Sequence, residues 1–157
     1  MEAAYHENYV KQLQRLLNFV VKSQKKYIDA SSHVDSADFK NLFNRYADER
    51  TNMISELKGA IQKLSGSTPD ITAEEVDAHH MNSTHSGTDT KNDQDVMSKL
   101  RNSEKEALDT YDDILQGSIL EEFNLKTLIM SQRLTISDAL TELDQRYFDL
   151  YKLKQPY

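Results

Sequence analysis

The sequence predicts an all-α fold, a bundle of four helices in a single domain that covers residues 1–157. Gly (4) and Pro (2) are scarce, and four segments repeat apolar residues at three- and four-residue steps. No segment alternates apolar and polar residues over a length that would indicate a strand. A chain of 157 residues is also long enough to bury one hydrophobic core.

The first two helices are predicted at about residues 7–32 and 36–64. Asp35 or Ser36 is expected to cap the second helix, and Gly66 followed by Pro69 is expected to end it. The apolar stripes that we expect to be buried are Val10, Leu13, Leu17, Val20, Tyr27 and Ile28 in the first helix, and Phe39, Phe43, Tyr46, Met53, Leu57, Ile61 and Leu64 in the second.

The third and fourth helices are predicted at about residues 93–116 and 119–153. The break "QGS" separates them, and Ser118 with Glu121 matches a capping box. The aromatic tail "YFDLYKLKQPY" is expected to pack on the bundle, the alternative being a partner. The stripes are Val96, Leu100, Ala107, Tyr111 and Ile114, then Leu125, Leu128, Ile129, Ile136, Ala139, Leu140 and Leu143.

The lengths of the links predict the topology. The links after helices 1 and 3 have only a few residues, so each of these pairs forms an antiparallel hairpin. The link at about 65–92 could span about 90 Å when extended. A helix of 28 residues is only about 42 Å long. The link is therefore long enough for the crossover of a ferritin-like bundle, in which helix 3 starts at the opposite end from where helix 2 stops.

Composition excludes several classes of function. The formal net charge of −7 disfavours nonspecific binding to DNA and to anionic membranes. The absence of Cys excludes disulfides, thiolate metal sites and cysteine nucleophiles. The polar N-terminus does not match a signal peptide, and no apolar run approaches membrane-spanning length. We therefore expect a cytoplasmic protein that binds neither nucleic acid nor membrane.

A di-metal site in such a bundle needs one Glu from each of two helices and a Glu-x-x-His pair from each of the other two. The predicted stripes offer two carboxylates, Glu49 and Glu104. Three residues after each of them stand Asn52 and Ala107, where a His is needed. The sequence therefore predicts no metal site, no cofactor and no catalytic residue. We expect Gln24, Glu49, Arg50 and Glu104 to form a hydrogen-bonded network near the middle of the bundle.

The stretch "DFKNLFNRYADERTNMISELKGAIQKLSGSTPD" resembles the second helix and following turn of a family of uncharacterised bacterial proteins, a ferritin-like domain of unknown function. "SEKEALDTYDDIL" and "YIDAS" are similar to the third helix of that family and to part of its first. The resemblance covers about residues 10–145. It implies a ferritin-like bundle and no activity. The chain has Gln24 and Lys25 where the family commonly has an acidic pair.

The stretch "HHMNSTH" contains three of the five histidines, His79, His80 and His85. Their spacing matches no standard zinc pattern, and the residues around them have the composition of a loop. We interpret the stretch as a solvated loop, with fortuitous binding of Zn²⁺ or Ni²⁺ as the alternative.

Two hypotheses of function follow. The first is a non-enzymatic structural or interaction bundle that forms a homodimer through a helix face. The alternative is a ferritin-like metal-binding or redox protein with a reduced carboxylate site around Glu49 and Glu104.

Overall fold

The computed structural model describes residues 2–67, 92–117 and 122–152, with side chains from Glu7 onward. The described chain consists of four long helices: α1 (Glu2–His33), α2 (Ala37–Ser65), α3 (Asp93–Leu115) and α4 (Phe123–Tyr147). A short π-helix (Phe148–Lys152) follows α4 directly. The predicted all-α bundle of four helices is confirmed. None of the described helices is long and apolar enough to cross a membrane.

The two ends of α2 are capped as predicted. The Ser36 hydroxyl accepts a hydrogen bond from the Phe39 N–H at 3.2 Å. At the other end, Gly66 has φ 79°, and its N–H donates to the Gln62 carbonyl at 2.7 Å. A left-handed residue in this position favours Gly, because a Cβ atom would be strained there.

The bounds of the fourth helix differ from the prediction at both ends. α4 begins at Phe123 and not at 119, because the Glu122 carboxylate accepts from the Leu125 N–H at 2.7 Å and caps the helix there. Ser118 and Glu121 lie outside the described residues, as do residues 153–157 of the tail. Residues 148–152 form a π-helix where a continuous α-helix was predicted.

The direction of α3 follows from contacts at its first residue. The Asp93 carboxylate accepts hydrogen bonds from the N–H groups of Asp35 and Ser36, in the turn between α1 and α2. α3 therefore begins at the end of the bundle where α2 begins. The link from Ser67 to Asn92 must join opposite ends of the bundle, which confirms the predicted crossover.

The remaining contacts fix the other helices. Arg15 in the first half of α1 pairs with Asp113 near the end of α3, and Lys26 further along α1 donates to Ser103 earlier in α3, so these helices run in opposite directions. Arg45 near the start of α2 pairs with Glu142 near the end of α4, so these two are also antiparallel. The resulting order is up, down, down, up.

The apolar core has two parts, one towards each end of the bundle. The predicted stripe residues are buried or partly buried, with one exception. Ile28 is exposed (47%), because Tyr27 and Ala30 turn their side of α1 inward. The described part of the tail divides: Tyr147 packs on the core, whereas Phe148 is 51% exposed.

Two glycines of α2 and its cap give a matched test of this geometry. Gly66→Ala is expected to lower the free energy of unfolding by roughly 1 kcal/mol, because Ala is strained at positive φ. Gly59→Ala is expected to raise it by roughly 0.5–1 kcal/mol, because a Cβ at Gly59 meets no atom within 4 Å and Ala favours a helix interior. Urea unfolding followed by circular dichroism measures both. Equal effects of the same sign would contradict the helix end at Gly66.

Candidate functional site

A layer of polar side chains crosses the interior of the bundle. The described core has four buried polar or charged side chains, and each of the four helices contributes one. They are Ser23, Arg50, Glu104 and Gln132. Three of them, Ser23, Arg50 and Glu104, follow residues of one part of the apolar core and precede residues of the other along their helices. This polar layer is the best-defined candidate site in the described part of the chain.

Arg50 is the centre of the polar layer and is only 1% exposed. One of its terminal nitrogens donates to the Glu104 carboxylate in a short, charge-assisted hydrogen bond. Its Nε donates to the Ser23 hydroxyl at 3.0 Å, and its other terminal nitrogen lies 3.5 Å from the Met53 sulfur. The guanidinium carbon lies 5.4 Å from the centre of the Tyr27 ring, within the range of a cation–π contact.

Burial sets the electrostatics of this layer. Burial raises the pKa of the Glu104 carboxyl, and the positive charge of Arg50 opposes that shift. Burial also raises the pKa of Tyr27 well above its usual value, and the nearby Glu104 adds to the effect. The Tyr27 hydroxyl has no hydrogen-bond partner among the described residues, although it is fully enclosed. Tyr27 therefore remains a neutral phenol beside an ion pair.

Gln132 ties α4 to the same region. Its side-chain nitrogen donates to the Met53 carbonyl at 3.2 Å and to the Glu56 carboxylate at 3.0 Å. Its oxygen accepts from the Tyr111 hydroxyl at 2.7 Å. These three bonds join α2, α3 and α4 just beyond the Arg50–Glu104 pair.

The structure brings together only part of the predicted network. Arg50 and Glu104 meet as predicted. Gln24 does not join them: it lies at the surface and donates to the Thr51 hydroxyl at 2.6 Å. Ser23, one residue earlier, takes the buried position. Positions 23 and 24 both fit the helical spacing between Val20 and Tyr27, so spacing alone does not choose between them.

Glu49 does not lie in the predicted buried network either. It is half-buried, and the next residue, Arg50, points into the core. Burial raises the pKa of Glu49, with Arg50 and Arg45 acting against that shift. Its charge acts on Glu104, but it forms no hydrogen bond to the Arg50–Glu104 pair.

These residues do not fit the di-metal centre of a ferritin-like bundle. The Arg50 guanidinium is a permanent cation that offers no lone pair to a metal. It already pairs with the carboxylate of Glu104, the one buried acid among the described residues. Across residues 2–67, 92–117 and 122–152, no three His, Cys, Asp or Glu side chains form a group that could hold a metal ion.

The histidines add no ligand to this layer. His79, His80 and His85 lie outside the described residues. His33, at the exposed end of α1, places its Nδ1 atom 2.7 Å from the Asp29 carbonyl.

Comparison with known proteins agrees with the bundle. A family described as "Domain of unknown function (DUF2383)" matches residues 8–117. The chain belongs to this family. That membership confirms the resemblance to an uncharacterised family and adds no activity. No curated protein matches the chain.

A solved structure of another protein has a similar fold. It is a dodecameric thioferritin, the bacterioferritin-related protein from Bacteroides fragilis. The two structures share a TM-score of 0.78 at 14% sequence identity, over 95% of this chain and 89% of the other. At this identity the likeness shows a ferritin-like fold alone.

The Arg50–Glu104 pair predicts a characteristic pattern of stabilities. Glu104→Gln leaves a buried cation without its counter-charge, and we expect a loss of about 3–5 kcal/mol in the free energy of unfolding. The double variant Arg50→Met, Glu104→Leu removes both charges and is expected to be more stable than Glu104→Gln. Urea unfolding of the wild type and of these two variants measures the difference.

The half-exposed pair Arg133–Asp112 provides the control. Arg133→Met and Asp112→Asn are expected to change stability by less than about 1 kcal/mol. Equal losses at the two pairs would show that the buried pair does not organise the core.

Proposed function

We propose that the protein is a non-enzymatic, cytoplasmic helical bundle that acts by binding protein chains, including a second copy of itself. The single observation that carries this proposal is the Arg50–Glu104 ion pair in the middle of the core. In a ferritin-like bundle this interior is the place from which Glu and His ligands hold metal. In this chain the guanidinium of Arg50 supplies the positive charge that a metal ion would supply there.

The composition of the polar layer supports the same function. Arg50 uses its N–H groups on Ser23 and Glu104, and Gln132 uses its amide on neighbouring groups of α2 and α3. Such a layer holds helices in register, as buried polar groups do in other helical assemblies. A rigid bundle of this kind is suited to presenting helix faces to partners.

A protein of similar fold supports the self-association in this proposal. The thioferritin with the similar fold is dodecameric. Ferritin-like bundles present long, straight helix faces, and homo-oligomers commonly pair such faces through a two-fold axis. A homodimer is the smallest assembly of that kind.

The alternative is a reduced metal site on Glu49 and Glu104. It would require Glu104 to exchange Arg50 for a metal ion and Glu49 to turn inward. The buried guanidinium opposes both steps, because it would remain as a positive charge next to the incoming cation.

Elemental analysis of untagged protein, purified after growth with iron, manganese and zinc, tests the proposal. We expect less than stoichiometric metal in the wild type and no change in the Glu49→Gln, Glu104→Gln variant. Near-stoichiometric metal that is lost in this variant, while its circular dichroism spectrum stays that of the wild type, would overturn the proposal in favour of the carboxylate site. Metal that is lost only when His79, His80 and His85 are replaced by Ala would place a site in "HHMNSTH".

A further inference from the structure

The outer surface of α4 and of the π-helix after it carries more exposed apolar side chains than the other described helices. The described residues have six exposed large apolar side chains, and five of them belong to α4 or to the π-helix that follows. Four of the five define what we call the outer stripe: Phe123 (75% exposed), Met130 (50%), Leu134 (60%) and Phe148 (51%). The steps between them are 7, 4 and 14 residues, close to two, one and four helical turns. They therefore share one face.

The outer stripe lies opposite the face that α4 buries. The buried residues of α4 are Leu125, Ile129, Gln132, Ile136, Ala139 and Leu143. These residues fall about half a turn away from the outer stripe around the helix axis. α4 is thus apolar on two opposite faces, and only one of them is used in packing the bundle. Large apolar side chains that are exposed in a row on one helix face indicate an interaction surface.

The charges beside the outer stripe change sign along α4. The half from Phe123 to Leu134 carries Lys126 and Arg133 and no acid, a charge of +2. The half from Thr135 to Tyr147 carries three acids and one Arg, a charge of −2. Lys126 in the first half and Asp138 in the second form no ion pair with another described residue. Both are therefore available to a partner.

The other charges on α4 are partly satisfied within the chain. Arg133 pairs with Asp112 of α3, Asp144 with Arg101 of α3, and Glu142 with Arg45 of α2 and with Arg146. These pairs are exposed to solvent, so each can still interact with charges across an interface.

The sign change and the centre of the outer stripe coincide. The midpoint between Phe123 and Phe148 falls between residues 135 and 136, beside Leu134. The charge changes sign between Arg133 and Asp138, around the same point. Between Leu134 and Phe148 the same face carries the polar residues Ser137, Thr141 and Gln145. A surface with apolar side chains at both ends and near its midpoint, and with opposite charges on either side of that midpoint, is complementary to itself under a two-fold rotation.

We propose that two copies of this chain pair through the outer stripe of α4, with the two α4 helices antiparallel and the two-fold axis beside Leu134. This inference rests on the self-association in the proposed function and names its surface. The antiparallel arrangement brings Phe123 of each copy towards Phe148 of the other, and the basic half of each α4 alongside the acidic half of the other. A parallel arrangement would place Lys126 against Lys126 and Asp138 against Asp138.

The absence of Cys in the chain makes crosslinking a clean test. A disulfide needs Cα atoms within about 7 Å. Leu134→Cys is expected to form a disulfide-linked dimer under mild oxidation, because it lies next to the axis. Phe123→Cys is expected to give none by itself, since its two copies would lie roughly 40 Å apart. A mixture of Phe123→Cys and Phe148→Cys is expected to crosslink only between the two variants.

Ile28→Cys is the matched control, because Ile28 is exposed on α1. It is expected to remain uncrosslinked. Leu134→Glu is expected to weaken dimerisation measured by sedimentation equilibrium by roughly 30-fold or more. Its circular dichroism spectrum should match that of the control Ile28→Glu, which should remain dimeric, so that the loss of dimer cannot be assigned to unfolding.

Each other outcome overturns a defined part of the inference. Crosslinking of Phe123→Cys with itself would make the pair parallel. A dimer in which Leu134→Cys does not crosslink would move the interface to another face and leave the proposed self-association standing. A monomer would overturn this inference and the self-association together. Slow reaction of a monomeric Leu134→Cys with a thiol reagent would mean that the chain itself covers the stripe. None of these outcomes affects the metal analysis.

Discussion

The buried ion pair between Arg50 and Glu104 is the constraint on which the rest of the bundle depends. Each charge is costly in an apolar interior unless the other is in place. Because α2 and α3 belong to different hairpins, the two charges meet only when the hairpins dock in one register. Ser23 of α1 then accepts a hydrogen bond from the Nε–H of Arg50. A stripe of Leu and Ile could slide by a helical turn at little cost, and the ion pair cannot.

Most of the fold could be predicted because it depends on local signals. Helical spacing, the cap at Ser36 and the left-handed Gly66 are each written in a few adjacent residues. The long second link allowed a crossover, and the bonds from Asp35 and Ser36 to Asp93 show that the crossover occurs. The predicted start of α4 was wrong because Ser118 with Glu121 matches a capping box, whereas the helix begins after Glu122, a residue type that N-cap preferences do not favour.

The candidate site could be predicted only in part, because it depends on helix phase and on contacts between helices. Residues 49 and 50 both fit between Tyr46 and Met53 in the stripe of α2, so the acid and its basic neighbour are equally compatible with the spacing. The structure turns Arg50 inward. That single step changes the site from two carboxylates to an ion pair, and so changes the expected chemistry. Ser23 was missed in the same way, since a short hydroxyl gives no signal until its partner is known.

The outer stripe of α4 has a related cause. When a helix is apolar on one face, the sequence predicts which face is buried. When it is apolar on two faces, the sequence does not distinguish the buried face from the exposed one. Leu125, Ile129 and Leu143 were sufficient to define a buried stripe, and Phe123, Met130 and Leu134 then remained on the opposite side. Their meaning comes only from the fold, which uses one face and leaves the other uncovered by any described residue. The polar layer fixes which face that is, because Gln132 must reach Met53 and Tyr111. The internal register thereby determines the surface that α4 presents to a second copy.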